Sequence, residues 1–295
     1  MQSADFLSAV FFYLKVGENL NQNWIVENLN NAFSTWNGKL GELWGLVTTG
    51  PQTFKGGAVW GVMQTLHNGM VGIGYALVVL FFAISLCKNT MNFHELKRPE
   101  AAIHYFLRFV AAKALVGYGM DIMLNVFSIC NGIVTDMADS MGGISEAMVS
   151  LPAEMQTAIE NVGFLASVPL WLVTILGSLF ITVLSFVMIL TVYGRFFRLY
   201  MYTALAPLPL AAFAGESTQS VGISFLKSYV GVCLEGAVIV LACVIYSAFV
   251  STPTVASGEA TTIVWSYLAE TVFNMLVLVG LIKGSDRIIH EMMGL

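Results

Sequence analysis

The chain has 295 residues, of which 57% are hydrophobic and only 11% are charged, and its formal net charge at pH 7 is -5. Soluble domains carry roughly 25% charged residues, so the composition indicates a membrane protein and excludes an ordinary soluble domain. The small acidic balance also argues against a basic face that binds nucleic acid.

The first 60 residues differ from the rest because they mix charged and aromatic side chains. Between Trp24 and Phe33 the apolar residues recur every three or four positions, which predicts an amphipathic helix. Glycines at positions 38, 41, 45, 50 and 56 then predict loops. We interpret residues 1–60 as an extracytoplasmic or interfacial region, followed by a transmembrane helical domain over residues 61–295.

Five later stretches are long and apolar enough to cross a bilayer, for which roughly 20 residues are needed. The clearest is the stretch from Asn161 to Gly194, which contains no charged residue. The predicted spans are residues 69–87, 105–134, 164–193, 228–250 and 263–282. The predicted fold class is therefore all-α, a polytopic transmembrane helical bundle of about five spans.

Residues 199–221 are apolar but short, and Pro207 and Pro209 interrupt them. Each proline removes a backbone hydrogen-bond donor and blocks continued helix. Such backbone is tolerated at membrane depth only where protein or water covers it. We therefore predict a re-entrant or interfacial hairpin here that is buried by protein.

Lysine and arginine concentrate between residues 88 and 113, whereas residues 135–160 carry acidic groups and no basic ones. By the positive-inside rule the basic loop is cytoplasmic and the acidic loop lies outside. The hairpin keeps Lys227 and the basic tail inside, so we predict an external N-terminus and a cytoplasmic C-terminus.

Ionisable residues within spans are costly and are functional candidates by default. The candidates for channel-lining or buried polar positions are Lys113, Asp121, Glu235, Glu270 and Asn274. These residues either line a water-filled path or form pairs inside the bundle, in which case Lys113 binds Asp121 or Glu235. Asp136 and Asp139 are interpreted as parts of a solvated loop.

Catalytic and metal-binding motifs are absent from the sequence. The four cysteines, at positions 87, 130, 233 and 243, form no CxxC pair, and there is no HExxH, GxSxG or glycine-rich phosphate loop. We therefore expect no enzymatic activity, no catalytic residue, no metal and no cofactor, with bound lipids as the expected small molecules.

From Arg195 the sequence reads RFFRLYMYTALAPLPLAAFAGES, and residues 222–227 read GISFLK. A long span that ends in arginines, an Ala-Pro hairpin and then Lys227 before the next span resemble the core of the TrbL family of conjugal-transfer membrane proteins. The form it resembles is found in integrative elements of Gram-positive bacteria. The resemblance covers about residues 55–290.

The resemblance implies a multi-pass subunit of a type IV secretion system in the bacterial cell membrane. It implies a ring-like, five-fold homo-oligomer whose partners are membrane lipids, a secretion ATPase and an assembly scaffold, with a relaxase attached to single-stranded DNA as cargo. The alternative function is a small-solute or ion channel or transporter that uses the intramembrane charges.

The same stretch supplies candidates for contact with a partner protein or with lipid headgroups. They are Arg195, Arg198, Pro207, Pro209 and Lys227. Arginine suits this role because its planar guanidinium binds phosphates and carboxylates. A helix boundary anchored in lipid explains the same residues equally well.

Overall fold

The structure is a computed structural model that describes the backbone of residues 2–90, 99–140, 148–162, 164–249 and 260–295. These residues are mainly helical, and they include no strand, so the all-α prediction is confirmed. In chain order the helices are α1 (Gln2–Thr48), α2 (Ala58–Thr90), α3 (Pro99–Gly117), α4 (Gly119–Ser140), α5 (Ala153–Glu160), α6 (Phe164–Leu205), α7 (Pro207–Ala211), α8 (Gln219–Phe249) and α9 (Ala260–Met293).

Helix α1 is unbroken for 47 residues, so the loops predicted around its glycines do not form. Buried apolar side chains continue past Gly38 and Gly41 at spacings of three and four: Leu29, Phe33, Trp36, Leu40, Leu43 and Val47. A glycine costs about 1 kcal/mol in a helix interior, whereas each buried large apolar side chain contributes about 1.5–3 kcal/mol. The free energy gained by burying these side chains therefore outweighs the low helix propensity of the glycines.

The chain turns between α1 and α2 through a short 3-10 helix, Phe54–Gly57. Lys55, Gly56 and Gly57 all have positive φ, at 47°, 73° and 78°, a region that glycine enters without steric cost. The Phe54 ring stacks on Phe196 with 4.1 Å between centroids. This turn is thereby fixed against the last part of α6.

Among the described residues, four helices are long and apolar enough to cross a membrane: Phe54–Lys88, Val168–Leu205, Gln219–Phe249 and Thr262–Met293. The pair Ile103–Gly117 and Gly119–Ser140 passes the same test only together. If this pair is counted as one span, the described residues contain five candidate spans. The multi-pass membrane character of the chain is therefore confirmed.

The second predicted span, residues 105–134, is not a straight helix. It is bent by 73° between α3 and α4, where Gly117 and Gly119 flank Tyr118. A Cβ on Gly117 would lie 2.8 Å from Tyr75 Oη, and one on Gly119 would lie 3.2 Å from Leu210 Cδ1. A larger residue at either glycine would therefore require Tyr75 or Leu210 to shift.

Helix α4 also extends further than the sequence predicts. It continues to Ser140, so Asp136 and Asp139 lie in its last turns rather than in a loop, and both are exposed. Later in the predicted acidic loop, residues 153–160 form α5. Residues 141–147, including Glu146, lie outside the described residues.

The proline-containing segment is buried, as predicted. After α6 ends at Leu205, the chain forms the five-residue helix α7 and a 3-10 turn, Ala212–Ala214. Both pack against α2 and α3, and Ala206, Leu210 and Ala211 have no exposed surface. The first part of the predicted hairpin, residues 199–205, belongs to α6 instead.

A buried histidine holds the end of α6 in place. His67 on α2 is 2% exposed, and its Nδ1 lies 2.7 Å from the Thr203 carbonyl oxygen. A carbonyl oxygen only accepts hydrogen bonds, so Nδ1 carries the proton and donates it. Thr203 lies within the last turn of α6, where carbonyls have no partner within the helix.

The chain divides into two compact units. The first contains Met1–Gly45, Gly142–Thr191 and Leu241–Lys283. Within it the Asn37 amide bonds the backbone of Val149 in both directions: Nδ2 donates to O at 2.8 Å, and Oδ1 accepts from N at 3.0 Å. The second unit contains Leu46–Met141, Val192–Val240 and Gly284–Leu295. The boundary predicted at residue 60 stays a prediction.

Candidate functional site: a buried ion network

Arg195 is the most deeply buried charged residue that the structure describes, with 0% of its surface exposed. It lies on α6, and its guanidinium donates to the backbone carbonyl oxygens of Val232 and Cys233 on α8, each at 3.3 Å. A third hydrogen bond, at 3.4 Å, reaches the carbonyl oxygen of Val47. This carbonyl lies at the C-terminus of α1, where it has no partner within its own helix.

Gly236 on α8 provides the space for the Arg195 guanidinium. A Cβ at this position would lie 2.7 Å from Nη1 and 2.9 Å from Cζ, closer than van der Waals contact allows. The backbone of α8 therefore approaches the guanidinium directly. This close approach lets two successive carbonyls, those of Val232 and Cys233, accept from one side chain.

Glu235 forms the acidic centre of the site and is 1% exposed. Arg198 Nη2 donates to both of its carboxylate oxygens at 2.7 Å, and Ser285 Oγ on α9 donates to Oε1 at 3.2 Å. Arg198 Nη1 donates to Asp286, which lies on α9 next to Ser285. His290 Nε2 lies 3.5 Å from the same Asp286 oxygen.

The charges in this network balance. Arg195 and Arg198 supply two positive charges, and Glu235 and Asp286 supply two negative ones. In a low-dielectric interior an unpaired charge is very costly, so the oppositely charged neighbours make the burial of Arg195 and Glu235 possible. The network fixes α6, α8 and α9 relative to one another within the second unit.

The described residues contain no cluster of three or more histidine, cysteine or acidic side chains that could hold a metal ion. Arg198, Glu235, Ser285 and Asp286 bind one another, His290 lies beside Asp286, and Arg195 binds backbone carbonyls. The arrangement is suited to holding helices in register.

The structure brings together only three of the residues singled out from the sequence, namely Arg195, Arg198 and Glu235. The partner proposed for Glu235 differs, since Arg198 occupies the position expected for Lys113. Lys113 and Asp121 are both exposed, and the 73° bend between their helices breaks the continuous face on which their pairing was predicted.

The remaining candidates lie outside the network. Lys227 and Glu270 are exposed, Pro209 is half-buried, Pro207 is buried and Asn274 is 8% exposed. The burial of Arg195 also means that it does not reach lipid headgroups from this position, and Arg198 binds carboxylates of its own chain rather than those of a partner.

Sequence reasoning missed Ser285, Asp286 and His290, which had been treated as part of the cytoplasmic tail. Their signal is weak: only Asp286 and His290, four residues apart, lie on one face of α9. No local sequence pattern indicates that Asp286 binds Arg198, which lies 88 residues earlier in the chain.

Residues 36–207 match the family model described as TrbL/VirB6 plasmid conjugal transfer like protein. The chain belongs to this family. The match covers more than half of the 295 residues and includes the end of α1, the bent span, Arg195, Arg198 and Pro207. Neither a curated protein nor a solved structure matches the chain.

The family match places the TrbL/VirB6-like protein among the membrane components of conjugal transfer. It also changes the extent of the resemblance. The sequence pattern indicates a resemblance over about residues 55–290, whereas the matched region begins within α1 and ends at Pro207. Glu235 and Asp286 therefore lie beyond the matched region, although they bind Arg198 inside it.

Proposed function

We propose that this protein is a non-enzymatic channel or scaffold subunit of a conjugative type IV secretion system. In this proposal it helps to move a relaxase attached to single-stranded DNA across the bacterial cell membrane. The observation that carries the proposal is the family match over residues 36–207 in a chain with four to five candidate membrane spans.

The charge of the chain supports passage of DNA rather than tight binding. The protein has 13 basic and 18 acidic residues, and affinity for nucleic acid depends mainly on basic side chains that neutralise phosphates. A subunit of this composition guides cargo by the shape of its path. The relaxase and the secretion machinery supply the specific contacts.

The exposed surface supports a lipid-embedded assembly. Large apolar side chains on α6 are more than half exposed, among them Leu179, Phe180 and Leu190. Such a surface is stable only against lipid or against another apolar protein surface. We therefore propose that lipids or further copies of the chain cover this surface. On the resemblance to the family we propose a ring-like, five-fold homo-oligomer of the Gram-positive integrative-element type, and on the charge of the loops an external N-terminus and a cytoplasmic C-terminus.

The partners proposed at the cytoplasmic side are the secretion ATPase and the assembly scaffold. Lys227 supports this assignment, since it is exposed immediately after the buried hairpin segment. Pro209 on α7 is half-exposed and lies close by in sequence. With Arg195 and Arg198 engaged inside the chain, these two residues are the proposed docking positions that remain available.

Gene deletion tests the proposed function. Deleting the gene from its element is expected to reduce DNA transfer to recipient cells to background, and supplying the wild-type gene in trans is expected to restore it. Unchanged transfer after deletion would refute the proposal. Ion or solute flux through the purified protein in liposomes, with normal transfer in the deletion strain, would favour the small-solute channel instead.

A further inference from the structure

Helix α4 has three faces of different character. Its inward face is apolar and buried, and it includes Met123, Phe127, Cys130 and Val134. A second face is exposed and carries small or polar residues at spacings of three and four, which places them on one side of a helix. These residues, here termed the polar stripe, are Asp121, Asn125, Ser128, Gly132, Asp136 and Asp139.

The third face is apolar and exposed. It contains Ile129 and Ile133, which are 69% and 46% exposed. These side chains match a lipid environment. The polar stripe beside them does not, because an aspartate or asparagine within a span is costly when it faces hydrocarbon. The two exposed faces therefore meet different surroundings.

A cleft of about 530 Å³ opens onto the first half of the polar stripe. Its polar lining comes from Gln52, Asp121, Asn125, Ser128 and Asn131. Asn131 Nδ2 donates to the Thr48 carbonyl oxygen at 3.2 Å, while its buried Oδ1 finds no hydrogen-bond partner among the described residues. A cleft of this size with five polar side chains in its lining is suited to hold water.

We propose that the polar stripe of α4 faces an aqueous path through the membrane, whose contents are water and hydrated cations when no cargo is present. The inference rests on the proposed channel role and identifies the surface that lines the channel. The stripe runs over 19 residues from Asp121 to Asp139, a rise of about 27 Å, so it follows nearly the whole length of α4.

The charge of the stripe defines what it recognises. It carries three carboxylates, and α4 contains no lysine, arginine or histidine. Such a surface attracts cations and repels phosphates. Nucleic acid therefore slides past α4 without being held by it, in agreement with transfer rather than storage of DNA.

Cysteine accessibility in cells that carry the complete transfer system tests this inference. The four native cysteines are replaced by serine or alanine, and single cysteines are introduced as Asn125→Cys and Ser128→Cys on the stripe. Ile129→Cys and Ile133→Cys, on the apolar face of the same helix, are the matched controls. Ser128→Cys changes the side chain least and guards against misfolding of the Asn125 variant.

A membrane-impermeant maleimide is expected to label the two stripe variants at least ten times faster than the two controls. Labelling of stripe variants is further expected to reduce DNA transfer, and the reduction is expected to grow with the size of the maleimide. Equal labelling rates on the two faces would overturn the inference. Labelling without loss of transfer would also overturn it, since it would place the stripe on the membrane surface.

A subunit interface gives a different result. In that case the stripe cysteines would resist the maleimide and would form disulfides between copies of the chain on oxidation, which contradicts an aqueous path. The proposed function is judged separately, by transfer in the deletion strain. If the stripe variants are not labelled but the wild-type gene still restores DNA transfer, the aqueous path along the stripe is refuted and the proposed function is not.

Discussion

At the scale of single residues, two arginines three positions apart have different surroundings. Arg195 is fully buried and donates to backbone carbonyls, whereas Arg198 is partly exposed and binds two carboxylates. Both face the same short part of α8, because Glu235 binds Arg198 and the adjacent Gly236 makes room for Arg195. One turn of α8 therefore accommodates both positive charges.

The substitution Glu235→Gln is expected to lower the stability of the protein. It leaves the buried positive charge of Arg195 without its acidic neighbour and removes the ion pair with Arg198. Breaking a buried pair by removing one partner costs about 3–5 kcal/mol. The measurement is the midpoint of thermal unfolding of purified protein in detergent.

Asp286→Asn provides the matched control, since it removes the other carboxylate that binds Arg198. The Asp286 side chain is 44% exposed, so this change is expected to cost under about 1 kcal/mol. Equal midpoints for wild type and Glu235→Gln, or a larger loss for Asp286→Asn, would show that Glu235 is not the centre of the network.

At the scale of elements, the junction between α2 and α7 depends on one glycine. A Cβ on Gly74 would lie 2.9 Å from the Pro207 carbonyl oxygen and 2.9 Å from Val116 Cγ1. The first contact is with backbone, which cannot rotate away as a side chain does. The proline segment therefore approaches α2 as closely as two backbones allow.

Gly74→Ala is expected to displace α7 from α2 and to reduce stability by about 1–3 kcal/mol, the usual cost of overpacking. Gly72→Ala, two residues away on a different face of the same helix, has open space around the new methyl group. It is expected to be neutral or to stabilise the helix by up to about 1 kcal/mol. Paired unfolding curves in detergent provide the comparison, and equal losses for both variants would contradict the proposed close approach.

At the scale of the whole molecule, the orientation proposed from the charge of the loops is tested by labelling from each side of the membrane. A cysteine at Glu216, next to the buried hairpin, is expected to react only with reagent supplied at the cytoplasmic face. A cysteine at Ser257, which lies outside the described residues, is expected to react from outside. Reaction of both positions from outside would mean that the hairpin segment crosses the membrane and that the C-terminus is external.

The sequence by itself determined that the chain is all-α, that it is a multi-pass membrane protein, that the segment around Pro207 and Pro209 is buried by protein, and that the chain is related to TrbL proteins. These features depend on hydropathy, on charge and on proline chemistry, which act within a few residues along the chain. A run of apolar residues as long as a bilayer is thick has few other stable conformations.

Only the tertiary structure decided which charges meet. It paired Glu235 with Arg198 rather than with Lys113, buried Arg195 against α8, and bent the second span at Tyr118. It also kept α1 helical through its glycines. Contacts between residues far apart in sequence depend on how helices pack, and the physical reason is that burial of distant side chains outweighs the local preferences that a sequence displays.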